Sequence, residues 1–88
     1  MRNATVEIYS DTTNASIIRH PDRRFPGLLI QGDTLNNLAK AALAVSKSAD
    51  GRLSEDESFE AKGLAEELAS LLEHYKSVLT EHKIPVPF

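Results

Sequence analysis

The chain has no cysteine, which removes a disulfide framework, a thiolate nucleophile and any cysteine-built zinc site. It also has no long apolar run. The longest, Ala41 to Val45, falls far short of the roughly 18 residues that span a bilayer. Met1 to Thr5 offers no apolar signal region, so neither export nor membrane insertion is expected and the cytoplasm is the expected compartment. The Asn-x-Ser/Thr matches at Asn3 and Asn14 then read as chance patterns, because glycosylation needs a secretory route. A surplus of positive charge is missing too. At a net charge of −3 there is no dominant basic face to release counterions, so nucleic acid is not the expected partner. No serine or threonine sits in a nucleophile motif, and the single glycine at 32 is far from a phosphate-binding loop.

What is there is charge of both signs, unevenly placed. Residues 54 to 83 carry eight acids against Lys62, Lys76 and Lys83, a balance of −5. The rest of the chain is therefore +2, with its positive charge concentrated at Arg19, Arg23 and Arg24 beside His20. A basic protein partner suits the acidic end; an anionic group suits the other.

The 88 residues predict one domain, 1–88, of the α+β class. Thr5-Val6-Glu7-Ile8-Tyr9 alternates and is rich in β-branched and aromatic residues, the pattern of a strand. Asp11-Thr12-Thr13-Asn14 is a turn cluster. Ala15-Ser16-Ile17-Ile18-Arg19 predicts a second, antiparallel strand that stops at His20-Pro21, since proline holds its predecessor extended and lacks a ladder donor. Phe25-Pro26-Gly27-Leu28 fits a type II turn, with Gly27 supplying φ > 0. Leu28 to Gln31 follows as a third strand, apolar on both faces and so expected at the centre of the sheet. The sheet is assigned to 1–31.

Gly32 offers a sharp backbone turn, after which Asp33 or Thr34 caps a helix over 34–49 with apolar positions Leu35, Leu38, Ala39, Ala42, Leu43 and Val45. Beyond Gly51, Ser54-Glu55-Asp56-Glu57 is a capping box that opens a second, long helix over 54–83. Its stripe runs Ala61, Leu64, Leu68, Leu71, Tyr75, Val78 and His82, widened by Ala65, Leu72 and Leu79. Phe59 and Tyr75 are read as core. Pro85 and Pro87 end the helix and leave 84–88 as a tail. The expected order is β-β-β-α-α, a small three-stranded antiparallel sheet followed by two helices. At 1.5 Å per residue the second helix reaches about 45 Å and the first about 24 Å. Leu71, Tyr75, Val78 and Leu79 on the overhang therefore need cover, from the tail and sheet, from a second copy or from another protein; Gly63 offers a kink that would shorten it.

Three groups of residues invite a functional reading. The preferred one is a non-enzymatic protein-binding domain, a small acidic inhibitor or immunity-type protein that neutralises a basic partner through Glu66, Glu67, Glu73 and Tyr75 of the second helix. The alternative is a small anionic-ligand site built from Arg19, Arg23, Gln31 and Asp33, because arginine forks pair bidentately with carboxylates and phosphates. A third reading is homodimerisation through the second helix. Ser46 to Glu57 places Gly51, Leu53, Ser54 and Glu57 as a calcium loop would, but Ser46 stands where the first aspartate belongs. His74 and His82 are eight apart rather than four, so no metal and no cofactor is expected.

Several segments together carry a resemblance: Val6-Glu7-Ile8-Tyr9-Ser10, Asn14-Ala15, Arg19-His20-Pro21-x-Arg23-x-Phe25-Pro26-Gly27, Gln31-Gly32-Asp33-Thr34-Leu35 and His82-x-Ile84-Pro85-x-Pro87-Phe88. In these the chain resembles a family of small bacterial proteins classed as a domain of unknown function. The resemblance spans almost the whole chain and is most specific from Phe25-Pro26-Gly27 to Gln31-Gly32-Asp33. It implies a bacterial, cytosolic, stand-alone domain and brings no activity, cofactor or catalytic residue with it.

Overall fold

A computed structural model describes residues 1–88. Three strands, β1 (Glu7–Ser10), β2 (Ser16–Arg19) and β3 (Gly27–Leu29), are followed by two helices, α1 (Gly32–Ser48) and α2 (Glu55–Glu81). The chain divides into two compact units, Met1–Gln31 and Gly32–Phe88. No helix is long and apolar enough to cross a membrane.

In the first unit the sheet is antiparallel with order β1-β2-β3. The apolar third strand is thus an edge strand, not the central one. Each strand pairs with its neighbour in sequence through a local connection, and that puts β2, the middle segment of the chain, in the middle of the sheet. Glu7 stands opposite Arg19 and Ile8 opposite Ile18, after which the register slips so that Ser10 faces Ile17 and Tyr9 is the extra residue of a bulge. Across β2 and β3, Ile18 faces Gly27 and Ile17 faces Leu28. Gly27 therefore opens a strand instead of serving as the left-handed residue of a type II turn; Gly51 is the one glycine with φ in that region, at 77°. The turn that does form is upstream, where the Arg23 N–H donates to the His20 carbonyl at 2.9 Å.

In the second unit α1 and α2 form an antiparallel hairpin closed at Gly51, where the Arg52 N–H donates to the Ala49 carbonyl at 2.9 Å. The capping box is present in full: the Glu57 N–H donates to Ser54 Oγ and the Ser54 N–H to Glu57 Oε1, both at 3.2 Å. At the far end the Lys83 N–H donates to the Thr80 carbonyl and the Ile84 N–H to the Leu79 carbonyl, the two bonds of a Schellman motif. Its left-handed position is filled by Lys83, with φ 58°, where glycine is usual.

The seam between the helices is built of small residues. Buried there are Gly32, Asn36 and Ala39 of α1 against Ala65 and Leu72 of α2, with Ser58, Ala61, Leu68 and Tyr75 half-buried at the intervening helical spacings. A Cβ at Gly32 would overlap the Tyr75 ring, so this glycine permits close approach and is no hinge. It is also the first residue of α1. Because α1 begins level with Tyr75, only the last two turns of α2 extend beyond it. The tail returns along them: Phe88 stacks on Tyr75 with centroids 6.5 Å apart, Lys76 Nζ lies 5.8 Å from the Phe88 centroid, and Val86 is half-buried. Gly63 causes no break in α2.

Candidate functional site

Small residues in the seam have a consequence for the large ones. Of the apolar positions expected on α1, Ala39 is buried and Leu35 and Ala42 are half-buried, but Leu38, Leu43 and Val45 remain exposed, as do Leu64 and Leu71 of α2 and Phe59, which is 77% exposed and outside any core. Where the backbones approach closely at Gly32, Ala39 and Ala65 the seam admits little more than small residues and one buried leucine, Leu72, and the remaining large apolar side chains stand on the flanks. On one flank Leu43 and Lys47 meet Lys62, Glu66 and Ala69 around a groove of about 450 Å³. At about 100° per residue, Leu38 and Val45 of α1 and Leu64 and Leu71 of α2 fall on the opposite flank. They are 44%, 62%, 55% and 53% exposed. Glu60 and Glu67 sit one turn from Leu64 on that flank, and no lysine or arginine stands three or four residues from any of the four. The flank is apolar, with Glu60 and Glu67 beside its α2 row and Arg52 sharing a surface groove with Val45 at the loop end.

The four residues expected to meet a basic partner are divided by this geometry. Glu67 and Tyr75 lie toward the apolar flank; Glu66 lines the opposite groove, and Glu73, one heptad on, pairs with Lys76 at 3.6 Å. Tyr75 is half-buried between Gly32 and Phe88. What sequence reasoning missed is Leu38 and Val45, whose exposure follows from the small residues that stand four or so positions away on the seam.

The alternative residues are divided as well. Arg19 Nη2 pairs with Glu7 Oε1 across β1 and β2, and its Nε is buried without a partner. Arg23 lines a groove of about 530 Å³ in the first unit with His20, Arg24, Phe25 and Leu28. Gln31 is exposed. Asp33 belongs to the first turn of α1, where its Oδ1 accepts from the Thr34 N–H at 2.8 Å. His20 and Arg24, part of the same basic cluster in the sequence, join Arg23 in this groove, whereas Arg19 does not line it.

Glu57 shows a clear pKa displacement. The hydrogen bond from the Ser54 hydroxyl, then that from the Ser54 backbone, holds its carboxyl below the ordinary 4.5. That is capping, not catalysis. No three imidazole or carboxylate side chains converge in a way that could hold a metal ion. Of the residues in the calcium-like segment, Ser46 and Asp50 line the hairpin groove and Glu57 is committed to the cap.

Comparison with known proteins gives a match to DUF6959, described as a family of unknown function, over residues 1–88. No curated protein and no solved structure matches the chain.

Proposed function

The chain belongs to DUF6959, a family of unknown function, and from that starting point we propose that it is a non-enzymatic protein-binding domain whose contact surface is the acid-bordered apolar flank of the helical hairpin. The observation that carries this reading is the exposure of Leu38, Val45, Leu64 and Leu71 on one side of a seam packed with small residues. A patch of that kind is the usual form of a docking surface. The occupant it suits is an amphipathic helix of a basic partner: leucine-sized side chains would enter between the two rows, and lysines or arginines at its edges would meet Glu60 and Glu67. A small acidic inhibitor of the immunity type, neutralising a basic protein, is the form such a domain would take.

The test uses adjacent residues on opposite sides of α2. Glu67→Lys and Leu71→Ala should each weaken binding of a lysine-bordered, leucine-faced helical peptide about tenfold, the equivalent of roughly 1.4 kcal/mol. Glu66→Lys, on the groove side, should leave it within about twofold. Equal losses from Glu66→Lys and Glu67→Lys would mean only long-range charge attraction. Sedimentation that shows a dimer disrupted by Leu71→Ala would assign the flank to a second copy instead. Loss of the folded state in Leu71→Ala would show that the side chain is internal to the chain, and would overturn the proposal.

A further inference from the structure

The basic segment of the first unit holds a site that is independent of the hairpin. Four arginines lie in or near it, and the structure sorts them into two neutralised and two unneutralised. Arg2 Nη2 pairs with Asp22 Oδ2 at 2.8 Å, and Arg19 pairs with Glu7. These bonds occupy Asp22 and Glu7. Arg23 and Arg24 have no carboxylate within ion-pair distance, and both line the same groove.

Histidine completes the donor set. The Asp22 N–H donates to His20 Nδ1 at 3.1 Å, so Nδ1 is an acceptor and the ring proton of the neutral form sits on Nε2. Nε2–H is thus the donor that His20, a lining residue of the groove, keeps free. The rest of the lining is apolar: Ile18, Leu28 and Leu29 with the Phe25 ring, over which the Arg24 guanidinium rests at 5.3 Å. No acidic side chain lines it. Gly27 makes the opening: it faces Ile18 across β2 and β3, and a Cβ placed on it meets nothing within 4 Å. At about 530 Å³ the groove is of the size that holds small ligands, roughly 300–1,000 Å³.

We infer that this groove binds a small phosphomonoester carrying a flat apolar body. Two unpaired guanidiniums match the two charges of a phosphomonoester, and the fork geometry of arginine suits its oxygens. A carboxylate would leave one positive charge uncompensated. The apolar wall of Ile18, Leu28 and Phe25 is where the body of the ligand rests, so orthophosphate alone is a poorer fit.

Phenyl phosphate, orthophosphate and benzoate serve as probes in a nuclear magnetic resonance titration of the full chain. Phenyl phosphate should shift the amides of His20, Arg23, Arg24, Phe25 and Gly27, and bind at least about tenfold more tightly than either other probe. Arg23→Ala and Arg24→Ala should each weaken it about tenfold. Gly27→Val provides a variant that keeps the strand, since its φ is not left-handed and the space is open, and it should abolish binding with the remaining spectrum unchanged. Benzoate binding as tightly as phenyl phosphate would overturn the ligand class. Absence of shifts at millimolar phenyl phosphate, or undiminished binding by Gly27→Val, would overturn the site.

Discussion

Gly32 and Gly63 are both helical glycines, yet a methyl group has opposite consequences at the two. At Gly63 an added Cβ meets open space, so Gly63→Ala should gain about 0.5–1 kcal/mol from lower backbone entropy in the unfolded chain and better helix propensity. At Gly32 the Cβ would overlap the Tyr75 ring, which can yield only by leaving its stack on Phe88. Gly32→Ala should lose about 1–3 kcal/mol, as overpacking does. Urea denaturation of the two variants checks the pair. Equal midpoints would show that the contact is slack. The sequence around Gly32 pointed to a turn because Asp33 and Thr34 follow it, whereas its actual constraint comes from Tyr75, far along the chain. A constraint set by a distant ring has no local signature.

Among the elements, α2 declares both its start and its stop in the sequence, but through different physics. The capping box is local, four residues bonding among themselves, and the structure shows both of its bonds. Its strength depends on pH. The folded carboxyl of Glu57 titrates below the ordinary 4.5, so the cap's contribution is complete above that value and is lost as pH falls through the lower, folded one. The protection of the Ser54 amide, which donates to that carboxylate, should therefore fall with acid below about pH 4.5 when measured against its intrinsic exchange rate. Ser54→Ala, which removes the hydroxyl but keeps the residue-54 N–H, should bring Glu57 toward the ordinary range and weaken that dependence. A wild-type Glu57 titrating at its ordinary value would sink the account. The Schellman end was legible only as a stop, from Pro85 and Pro87; that Lys83 takes the left-handed position is not written in its side chain. The hairpin seam was legible in period and in most of its positions, but not in which large residues would stay outside it: Ala39, Ala65 and Leu72 are buried, while Leu38, Leu43, Val45, Leu64 and Leu71 are exposed. Assigning the largest apolar residues to the inside fails where two backbones approach closely, because Gly32, Ala39 and Ala65 then win the interior and Leu38 and Leu64 lose it. The same preference for local pairing explains β3, which looked central from its composition and stands at the edge.

For the molecule as a whole, the order of elements was legible because each was punctuated by proline, glycine or a cap, while the surfaces proposed for binding emerge only when residues of different elements are placed side by side. The core is slight: Ala39, Ala65 and Leu72 are the buried apolar residues, and no side chain is fully buried. Since each buried leucine-sized side chain contributes about 1.5–3 kcal/mol, such a core leaves the folded state open to added stability from the partner proposed to cover Leu38, Val45, Leu64 and Leu71. Binding to the folded form alone then raises stability by mass action, about 2.7 kcal/mol at a hundredfold excess over Kd. The lysine-bordered helical peptide should accordingly raise the unfolding temperature of the protein in proportion to the logarithm of its concentration. A Leu64→Glu/Leu71→Glu variant should unfold near the wild-type temperature without peptide and show no rise with it, because those side chains are already in water. If the variant instead unfolds far below the wild type in the absence of peptide, the flank is part of the chain's own interior. If the unfolding temperature of the free protein climbs with its own concentration and the peptide adds nothing, the cover is a second copy.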